Sequence, residues 1–352
     1  MHFSNIAERV SAGNRITDEE YRLLESEGDL YQLGFLADTV RRQLHPENRV
    51  TYVIDRNINY TDICISACKF CAFFKAPDEG DGYLLRPEEL LEKIEETQKV
   101  GGTQILLQGG LHPDQPFEYY EEMVRLINKT GIHLHGFSPP EIHHFSTISG
   151  LSVKTVLSRL IAAGLNSIPG GGAEILNDRV RQLTAPRKCT ATEWIDVMEQ
   201  AHTQGLKTTA TMMFGHVETS EERLEHLRRL RELQDRTGGF TAFIPWPFQP
   251  DNTALSEKEK TSGFGYLRML ALSRIYLDNF NNIQASWVTQ GPKIAQIALS
   301  FGANDFGSTM IEENVVAAAG VTFRLSEQEI RRLVTDAGFE PAQRLMDYSI
   351  VI

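Results

Sequence analysis

Three of the four cysteines in the chain lie close together, at Cys64, Cys68 and Cys71. Their spacing, C-x-x-x-C-x-x-C, brings three thiols into one short loop. A structural zinc site usually takes four protein ligands, and neither a second C-x-x-C pair nor a His pair lies nearby. An iron-sulfur cube ordinarily takes four Cys ligands, so a site with three leaves one iron free. The spacing therefore indicates a cluster with an open coordination position, with a zinc knuckle or a buried group of thiols as the alternative.

The fourth cysteine, Cys189, lies far along the chain, between two predicted helices. Disulfide frameworks favour even, dispersed pairs in small secreted chains, and this arrangement differs from them. We therefore expect reduced thiols, and we interpret Cys189 as an ordinary cysteine outside the cluster site.

Short apolar runs alternate with amphipathic helical segments from Val50 onward, which is the pattern of parallel βαβ units. The predicted strands begin at Val50, Thr103, Ile132, Leu165, Lys207, Phe240, Asn282 and Ala303. Eight such repeats favour an α/β fold of the closed (β/α)8 TIM-barrel type, in which chemistry sits on residues that follow each strand. An open doubly wound sheet ranks second, because no G-x-G-x-x-G follows the first strand.

The barrel is predicted to carry an extension at each end. We expect an N-terminal helical cap over residues 1–49, the cluster-bearing barrel over residues 50–310, and a C-terminal helical extension packed on the barrel over residues 311–352. Within the cap, residues 16–44 are predicted to be helical, because acidic residues crowd the first turn and apolar positions recur at helical spacing.

Composition and charge exclude several classes of partner. The chain of 352 residues is 41% hydrophobic and 23% charged, which is typical of a globular protein. Its net charge of −12 opposes binding to nucleic acid or to anionic membranes. No apolar run approaches the ~18 residues that span a bilayer, and the start MHFSNIAERV lacks the layout of a signal peptide. We expect a cytoplasmic protein with a small-molecule substrate.

The cysteine spacing, together with Phe70 between the last two cysteines and the position after the first strand, resembles the radical S-adenosylmethionine (SAM) superfamily. The segments GGTQILLQGGLHPD, SIPGGGAEIL, GGFTAFIPWPFQPDNT and FGANDFGSTMIEENVV resemble its menaquinone (futalosine) branch. This resemblance implies one 4Fe-4S cluster per chain with Cys64, Cys68 and Cys71 as ligands. It also implies SAM bound to the free iron and cleaved to a 5′-deoxyadenosyl radical.

The resemblance also implies a reaction. The adenosyl radical takes hydrogen from the sugar C4′ of dehypoxanthine futalosine, the carbon radical adds to the attached benzoate ring, and loss of a proton and an electron restores aromaticity. A flavodoxin- or ferredoxin-type protein is the expected electron donor. Aminofutalosine synthase and the deazaflavin-forming relatives remain alternatives, and a structural metal-binding protein is the alternative from outside the enzymes.

Several residues are candidates for holding SAM through the same resemblance. Gly109 and Gly110 follow the second strand where the superfamily often has Gly-Gly-Glu; Leu111 replaces the Glu, so only a backbone role toward the methionyl amino group carries over. A tight turn with positive φ is the alternative. Gln108 and Ser138 are polar residues at neighbouring strand ends.

Further candidates follow the later strands. Glu174 is predicted to accept hydrogen bonds from the ribose hydroxyls, or to be a favourable acid in the first turn of a helix. Gly215, with Glu218, resembles the superfamily's glycine motif near adenine. Lys188 or Arg187 is a candidate for the carboxylate of SAM.

The proton acceptor is predicted among Asp305, Glu141 and His135, which lie at or near strand ends. A capping role is the alternative for Asp305, and a satisfied core histidine is the alternative for His135. Ser308 and Thr309 are candidate donors to the substrate's benzoate carboxylate.

Overall fold

The computed structural model describes residues 3–351. The helices are α1 (Phe3–Ser11), α2 (Asp18–Glu27), α3 (Leu30–Leu44), α4 (Pro87–Lys99), α5 (Phe117–Asn128), α6 (Pro139–Ser149), α7 (Val153–Ala163), α8 (Asp178–Thr184), α9 (Ala191–Thr203), α10 (Ser220–Thr237), α11 (Gly263–Tyr276), α12 (Trp287–Gln290), α13 (Pro292–Ala298), α14 (Val315–Ala318) and α15 (Glu327–Asp336). The strands are β1 (Arg49–Val53), β2 (Asp55–Asn59), β3 (Gln104–Gln108), β4 (His133–Gly136), β5 (Ser167–Ile168), β6 (Lys207–Phe214), β7 (Phe240–Pro247), β8 (Asn282–Ile283), β9 (Asp305–Ser308) and β10 (Glu340–Gln343). No helix in this range is long and apolar enough to cross a membrane.

The strands form a parallel barrel. Strands β2 to β8 pair in chain order in one seven-stranded sheet. A bridge between Gln284 and Asp305 joins the end of β8 to β9, and β9 pairs in parallel with β1, which leads directly into β2. All eight predicted strands are present, with the first divided into β1 and β2, so the prediction of a TIM-type barrel is confirmed.

Side chains that alternate along each strand point either into the core between sheet and helices or into the barrel lumen. On β3, Ile105 and Leu107 are fully buried in the layer between sheet and helices. The intervening residues Gln104, Leu106 and Gln108 line the barrel interior. Because side chains alternate between the two faces of a strand, the polar residues of short strands collect in the lumen.

The N-terminal segment is helical, as predicted, but as separate helices. A capping box at Thr17 starts α2, which accounts for the acidic residues in its first turn. The helix ends at Gly28, and the carboxylate of Asp29 starts α3 by accepting the backbone N–H groups of Tyr31 and Gln32 at 2.9 Å. Helix α3 packs on α11, on the outside of the barrel.

The C-terminal extension contains a strand as well as helices. Strand β10 pairs in parallel with β1, with Arg49 opposite Glu340. Its sequence, Glu-Pro-Ala-Gln, has weak strand propensity and includes a proline. For that reason the sequence predicted only helix here, and residues 311–351 are better described as a mixed extension, while residue 352 of the predicted extension lies outside the described residues.

The end of the chain closes the amino-terminal end of the barrel through Arg344. This buried side chain donates from Nε to Asp305 Oδ2 at 2.5 Å, and its guanidinium carbon lies 4.1 Å from the ring centre of Tyr348. Asp305 is fully buried and also accepts the backbone N–H of Gly307 at 2.6 Å. The pair therefore anchors the C-terminal segment to β9.

We predict that Arg344→Met destabilises the fold by about 3–5 kcal/mol, because it leaves the Asp305 carboxylate buried without its cation. Urea unfolding of the cluster-free protein measures this loss. Arg236→Met is the matched control, since Arg236 pairs with Glu199 on the surface with about half of its side chain exposed; its loss should be several times smaller. Equal losses in the two variants would contradict this role for the buried pair.

Candidate active site

Two adjacent cavities lie inside the barrel. The first, of about 250 Å³, is lined by all three clustered cysteines, and we name it the cysteine chamber. The second, of about 270 Å³, lies deeper among the strands, and we name it the inner chamber. They share five lining residues: Gln108, Gly171, Trp246, Val315 and Val316. The two chambers are therefore neighbours that share one stretch of wall.

The cysteine loop follows β2 and is held by backbone hydrogen bonds. Cys71 N–H donates to the Cys68 carbonyl at 3.0 Å, while Cys64 Sγ accepts N–H groups from Ser66 at 3.4 Å and Leu111 at 3.3 Å. Burial raises the pKa of Cys68 to about 12 and also raises that of Cys71. Within residues 3–351 no three His, Cys, Asp or Glu side chains converge closely enough to hold a single metal ion.

Cys189 does not line either chamber. It is buried, and its Sγ accepts from Arg181 Nη2 at 3.6 Å. The structure therefore agrees with its interpretation as an ordinary cysteine.

Gly109 and Gly110 line the cysteine chamber, but neither has positive φ. A Cβ on Gly109 would lie 2.5 Å from the Tyr60 ring, and one on Gly110 would lie 2.2 Å from the Ile63 carbonyl oxygen. The turn interpretation is therefore wrong, because these glycines instead let the loop after β3 pack against the cysteine loop. Their carbonyl oxygens accept no hydrogen bond from residues 3–351.

The Glu141 carboxylate joins the loop after β3 to Tyr60 and to the start of α6 through hydrogen bonds. Its Oε1 accepts from Tyr60 Oη at 2.8 Å and from Gly109 N–H at 3.1 Å. Its Oε2 accepts from the N–H and Oγ of Ser138, the N-cap of α6, at 2.7 and 2.6 Å. Burial raises the pKa of Glu141. Since a carboxylate has about four acceptor positions, all are filled, and the structure does not support Glu141 as the proton acceptor or Ser138 as a free ligand donor.

Glu174 and Lys188 face the cysteine chamber as an ion pair, with Nζ to Oε1 at 3.0 Å. Lys188 Nζ also lies 5.1 Å from the ring centre of Phe70. Glu174 has a φ of 41°, and α8 begins only at Asp178, so a first-turn helix role for this acid is wrong. Arg187 instead donates to the Ile65 carbonyl at 3.2 Å on the exposed side.

Gly215 lines neither chamber, so its predicted contact with adenine is not supported. Its φ is 89°, and a Cβ would lie 2.2 Å from Thr261 Oγ1. Glu218 accepts the backbone N–H groups of Gly215 and His216 at 2.7 and 2.9 Å. These residues therefore form the turn after β6.

Of the three predicted proton acceptors, only His135 lines the inner chamber. Its Nδ1 lies 2.8 Å from Ser167 Oγ, and burial lowers its pKa well below the ordinary histidine value, so the ring is neutral near pH 7. Asp305 does not line either chamber. It is the first residue of β9 rather than part of the loop after it, and it is paired with Arg344.

Sequence reasoning missed several lining residues of the inner chamber. Asp55 accepts from Gln104 Nε2 at 2.7 Å and from Ser308 Oγ, so the Ser308 hydroxyl is already engaged, while Thr309 does not line the chamber. Burial raises the pKa of Asp55. The alternation of Asp55 and Asn57 along β2 is a period-two signal that could have located both residues. No comparable sequence pattern marks Arg344, which comes from the C-terminal segment.

Helix α14 forms a wall common to both chambers through Val315 and Val316. The carboxylate of Glu313 accepts the backbone N–H groups of Val315, Val316 and Ala317 at 2.9–3.0 Å. An acid at the start of this short helix thus fixes the wall that the two chambers share.

The chain matches a model of the radical SAM superfamily over residues 58–230 and a model of the CofH/MqnC C-terminal region over residues 237–351. Together with the relatives below, these matches place the chain in the radical SAM superfamily, and it is an enzyme of that family. Cyclic dehypoxanthine futalosine synthase of Halalkalibacterium halodurans is 44% identical, over 100% of this chain and 95% of the relative. The synthase of the same description from Streptomyces coelicolor is 46% identical, over 99% and 88%.

A second group of relatives carries a different description. The 5-amino-6-(D-ribitylamino)uracil–L-tyrosine 4-hydroxyphenyl transferase of Archaeoglobus fulgidus is 44% identical over 91% of this chain and 94% of the relative. Among solved structures, methylornithine synthase (PylB) superposes with a TM-score of 0.75 at 20% identity, covering 96% of this chain and 97% of that one. That likeness supports the fold.

We predict that Glu141→Gln destabilises the protein by about 1–3 kcal/mol, because its NH2 group leaves at least one buried donor without an acceptor. Urea unfolding of the cluster-free protein measures the loss. Glu329→Gln is the matched control, since Glu329 closes a capping box with Ser326 on exposed α15; its loss should be clearly smaller. A Glu141→Gln variant as stable as the control would show that the hydrogen bonds of the Glu141 carboxylate are not needed for stability.

Proposed function

We propose that this chain converts dehypoxanthine futalosine to its cyclic product in menaquinone biosynthesis. The observation that carries the proposal is the pair of adjacent chambers, one with three thiols on its wall and the other lined largely by residues of the strands and the loops that follow them. Identity of 44–46% along nearly the whole chain to synthases of this description supports it. The first chamber suits a radical-generating cofactor pair, and the second suits a substrate of nucleoside size.

The cysteine chamber fits a 4Fe-4S cluster held by Cys64, Cys68 and Cys71. The thiols share one wall, two backbone N–H groups donate to a sulfur, and the buried hydroxyl of Ser66 has no hydrogen-bond partner within residues 3–351. Hydrogen bonds to sulfur tune the potential of such clusters. When bound, the cluster and SAM together supply the 5′-deoxyadenosyl radical that starts the reaction.

The remaining groups in the cysteine chamber fit SAM. The carbonyl oxygens of Gly109 and Gly110, which accept no hydrogen bond within residues 3–351, would accept its amino group, and the ammonium group of Lys188 would hold its carboxylate. Glu174 accepts from the ribose hydroxyls, as a carboxylate can. Phe70 and Gln108 complete the binding wall, and Gln108 lies at the junction with the inner chamber.

The inner chamber orients the substrate and excludes water. Arg344 is the cationic side chain on its wall among residues 3–351. Its Nε donates to Asp305 and its Nη1 to the Leu345 carbonyl, while Nη2 has no acceptor in this range, so that group is a better partner for the benzoate carboxylate than Ser308 or Thr309. Trp246 and Trp287 provide apolar surface beside it. Enclosure by α14 protects a carbon radical from side reactions, and a fixed geometry favours addition to the ring over other outcomes.

The transferases that act on 5-amino-6-(D-ribitylamino)uracil and tyrosine define the second candidate function, because their identity to this chain reaches 44%. The 46% relative is a synthase rather than a transferase, and Arg344 offers a charge suited to a benzoate. The two functions differ in product mass and in the second substrate, so one experiment separates them.

We expect the reconstituted protein, incubated without oxygen with SAM, a reductant and dehypoxanthine futalosine, to give 5′-deoxyadenosine and a product two hydrogen atoms lighter than the substrate. Mass spectrometry measures both. A parallel reaction with the ribitylaminouracil and tyrosine should give no adduct. Adduct formation in that reaction, without the lighter futalosine product, would assign the transferase function instead. A flavodoxin- or ferredoxin-type protein is the proposed natural reductant.

We expect Cys64→Ala, Cys68→Ala and Cys71→Ala each to abolish the visible absorption of the reconstituted cluster and the formation of 5′-deoxyadenosine, because each removes a ligand. The matched control is Cys189→Ala, which removes the thiol outside the chambers and should retain both signals. Iron content and absorption are measured before activity. A full cluster in any of the three variants would exclude that cysteine as a ligand.

A further inference from the structure

Two histidines and a serine form a continuous hydrogen-bonded chain inside the barrel. His135 Nδ1 lies 2.8 Å from Ser167 Oγ, and the same oxygen lies 2.7 Å from His133 Nε2. His133 and His135 are two residues apart on β4 and share a face, while Ser167 lies opposite His135 on β5. Because the serine hydroxyl can donate to one ring and accept from the other, the chain can conduct a proton.

This chain crosses the floor of the inner chamber. His135 lines that chamber, whereas His133 lines a separate cavity of about 320 Å³ at the amino-terminal end of the strands. Gln104 and Met346 line both cavities and so form the partition between them. Ser167 bridges the two sides, which makes the three residues a path from the enclosed lumen toward the opposite end of the barrel.

The surroundings suit proton transfer in this direction. Ser167 and His135 are buried, while His133 is half-buried. Burial lowers the pKa of His135, and the nearby His133 and Arg344 lower it further. Asp347 raises the pKa of His133 against the effect of burial. A proton is therefore less favourable on the inner ring than on the outer one, which has a carboxylate nearby.

We propose that His135, Ser167 and His133 form a relay that carries the proton lost from the benzoate ring out of the inner chamber. The inference rests on the proposed function, because rearomatisation of the cyclised radical requires a proton to leave the inner chamber. Arg344 and His135 line the same chamber, so a benzoate carboxylate held by Arg344 would bring the ring to the part of the lumen where the relay begins. His135 is then the base, and Ser167 and His133 act through it.

Proton loss from the benzoate ring keeps atoms and electrons in balance. The ring C–H bond breaks, its electron pair enters the aromatic system, and a new N–H bond forms at His135 Nε2. The Nδ1 proton of His135 passes to Ser167 Oγ, the hydroxyl proton passes to His133 Nε2, and the Nδ1 proton of His133 passes to water. An oxidised iron-sulfur cluster, when bound, would supply the acceptor for the unpaired electron. Exchange with water after product release restores the starting tautomers.

We predict that Ser167→Ala and His133→Ala lower formation of the cyclised product by roughly 10²-fold, which is typical of a lost acid-base contribution. Formation of 5′-deoxyadenosine should fall much less, because hydrogen abstraction precedes the proton loss. The ratio of deoxyadenosine to cyclised product, measured by mass spectrometry, should therefore rise. Added imidazole should partly restore product in His133→Ala, since the cavity beside residue 133 lies outside the partition.

Thr237→Val is the matched control. It removes a hydroxyl hydrogen-bonded to a partly buried histidine, His202 Nδ1, at 2.7 Å, at a site that lines neither chamber. This variant should leave the ratio of deoxyadenosine to product unchanged. Cluster absorption of each variant, matched to that of the wild type, shows that the barrel is intact.

An unchanged ratio in both Ser167→Ala and His133→Ala would overturn the relay, and so would a loss of product in His133→Ala that imidazole leaves unaltered. If one variant fails to fold, the other decides. Failure of the proposed function would look different, because the wild-type enzyme itself would then give no cyclised product from dehypoxanthine futalosine.

Discussion

Pairing between β1 and β9 closes the sheet into a ring, and both chambers depend on that closure. In an open sheet the inward side chains of β2 and β8 would face solvent. In the ring they face each other, since alternate residues of every strand point into one lumen. The strands at this seam are short, and the seam is held by a buried ion pair between Asp305 on β9 and Arg344 beyond β10. The C-terminal segment is therefore part of the active-site structure.

Buried acids are numerous in this barrel, but few are free to react, because most of them hold parts of the chain in place. Glu141, Glu313 and Asp305 each accept several hydrogen bonds or an ion pair, and each fixes one wall: the loop after β3, helix α14 and the chamber floor. A buried carboxylate is stable only when its acceptor positions are filled. In a sequence, such residues are natural candidates for a catalytic base. Their burial nevertheless fits a structural role, because their hydrogen-bond or ion-pair partners are present.

The sequence was a good guide to the barrel and to the cysteine loop, because both depend on local patterns. Strand positions follow from apolar runs between helices, and the three cysteines lie in one loop whatever the tertiary packing. Contacts between distant segments carried no such signal. Nothing in Glu-Pro-Ala-Gln predicts that β10 pairs with β1, and without that pairing Arg344 could not be placed beside Asp305. Asp305 and Gly215 were misjudged for the same reason, because a strand end located to within a few residues does not decide which side chains reach the lumen.

A reaction that produces a radical in a closed cavity must still release a proton, and the two requirements conflict. Water at the substrate would conduct the proton but would also expose the radical. A hydrogen-bonded chain through the partition resolves this conflict, since it moves a proton without admitting a solvent molecule. In this barrel the side chains on the floor include His135, whose partner Ser167 reaches His133 on the other side. Separate exits for proton and electron, at opposite ends of the lumen, would let the chamber remain closed until aromaticity is restored.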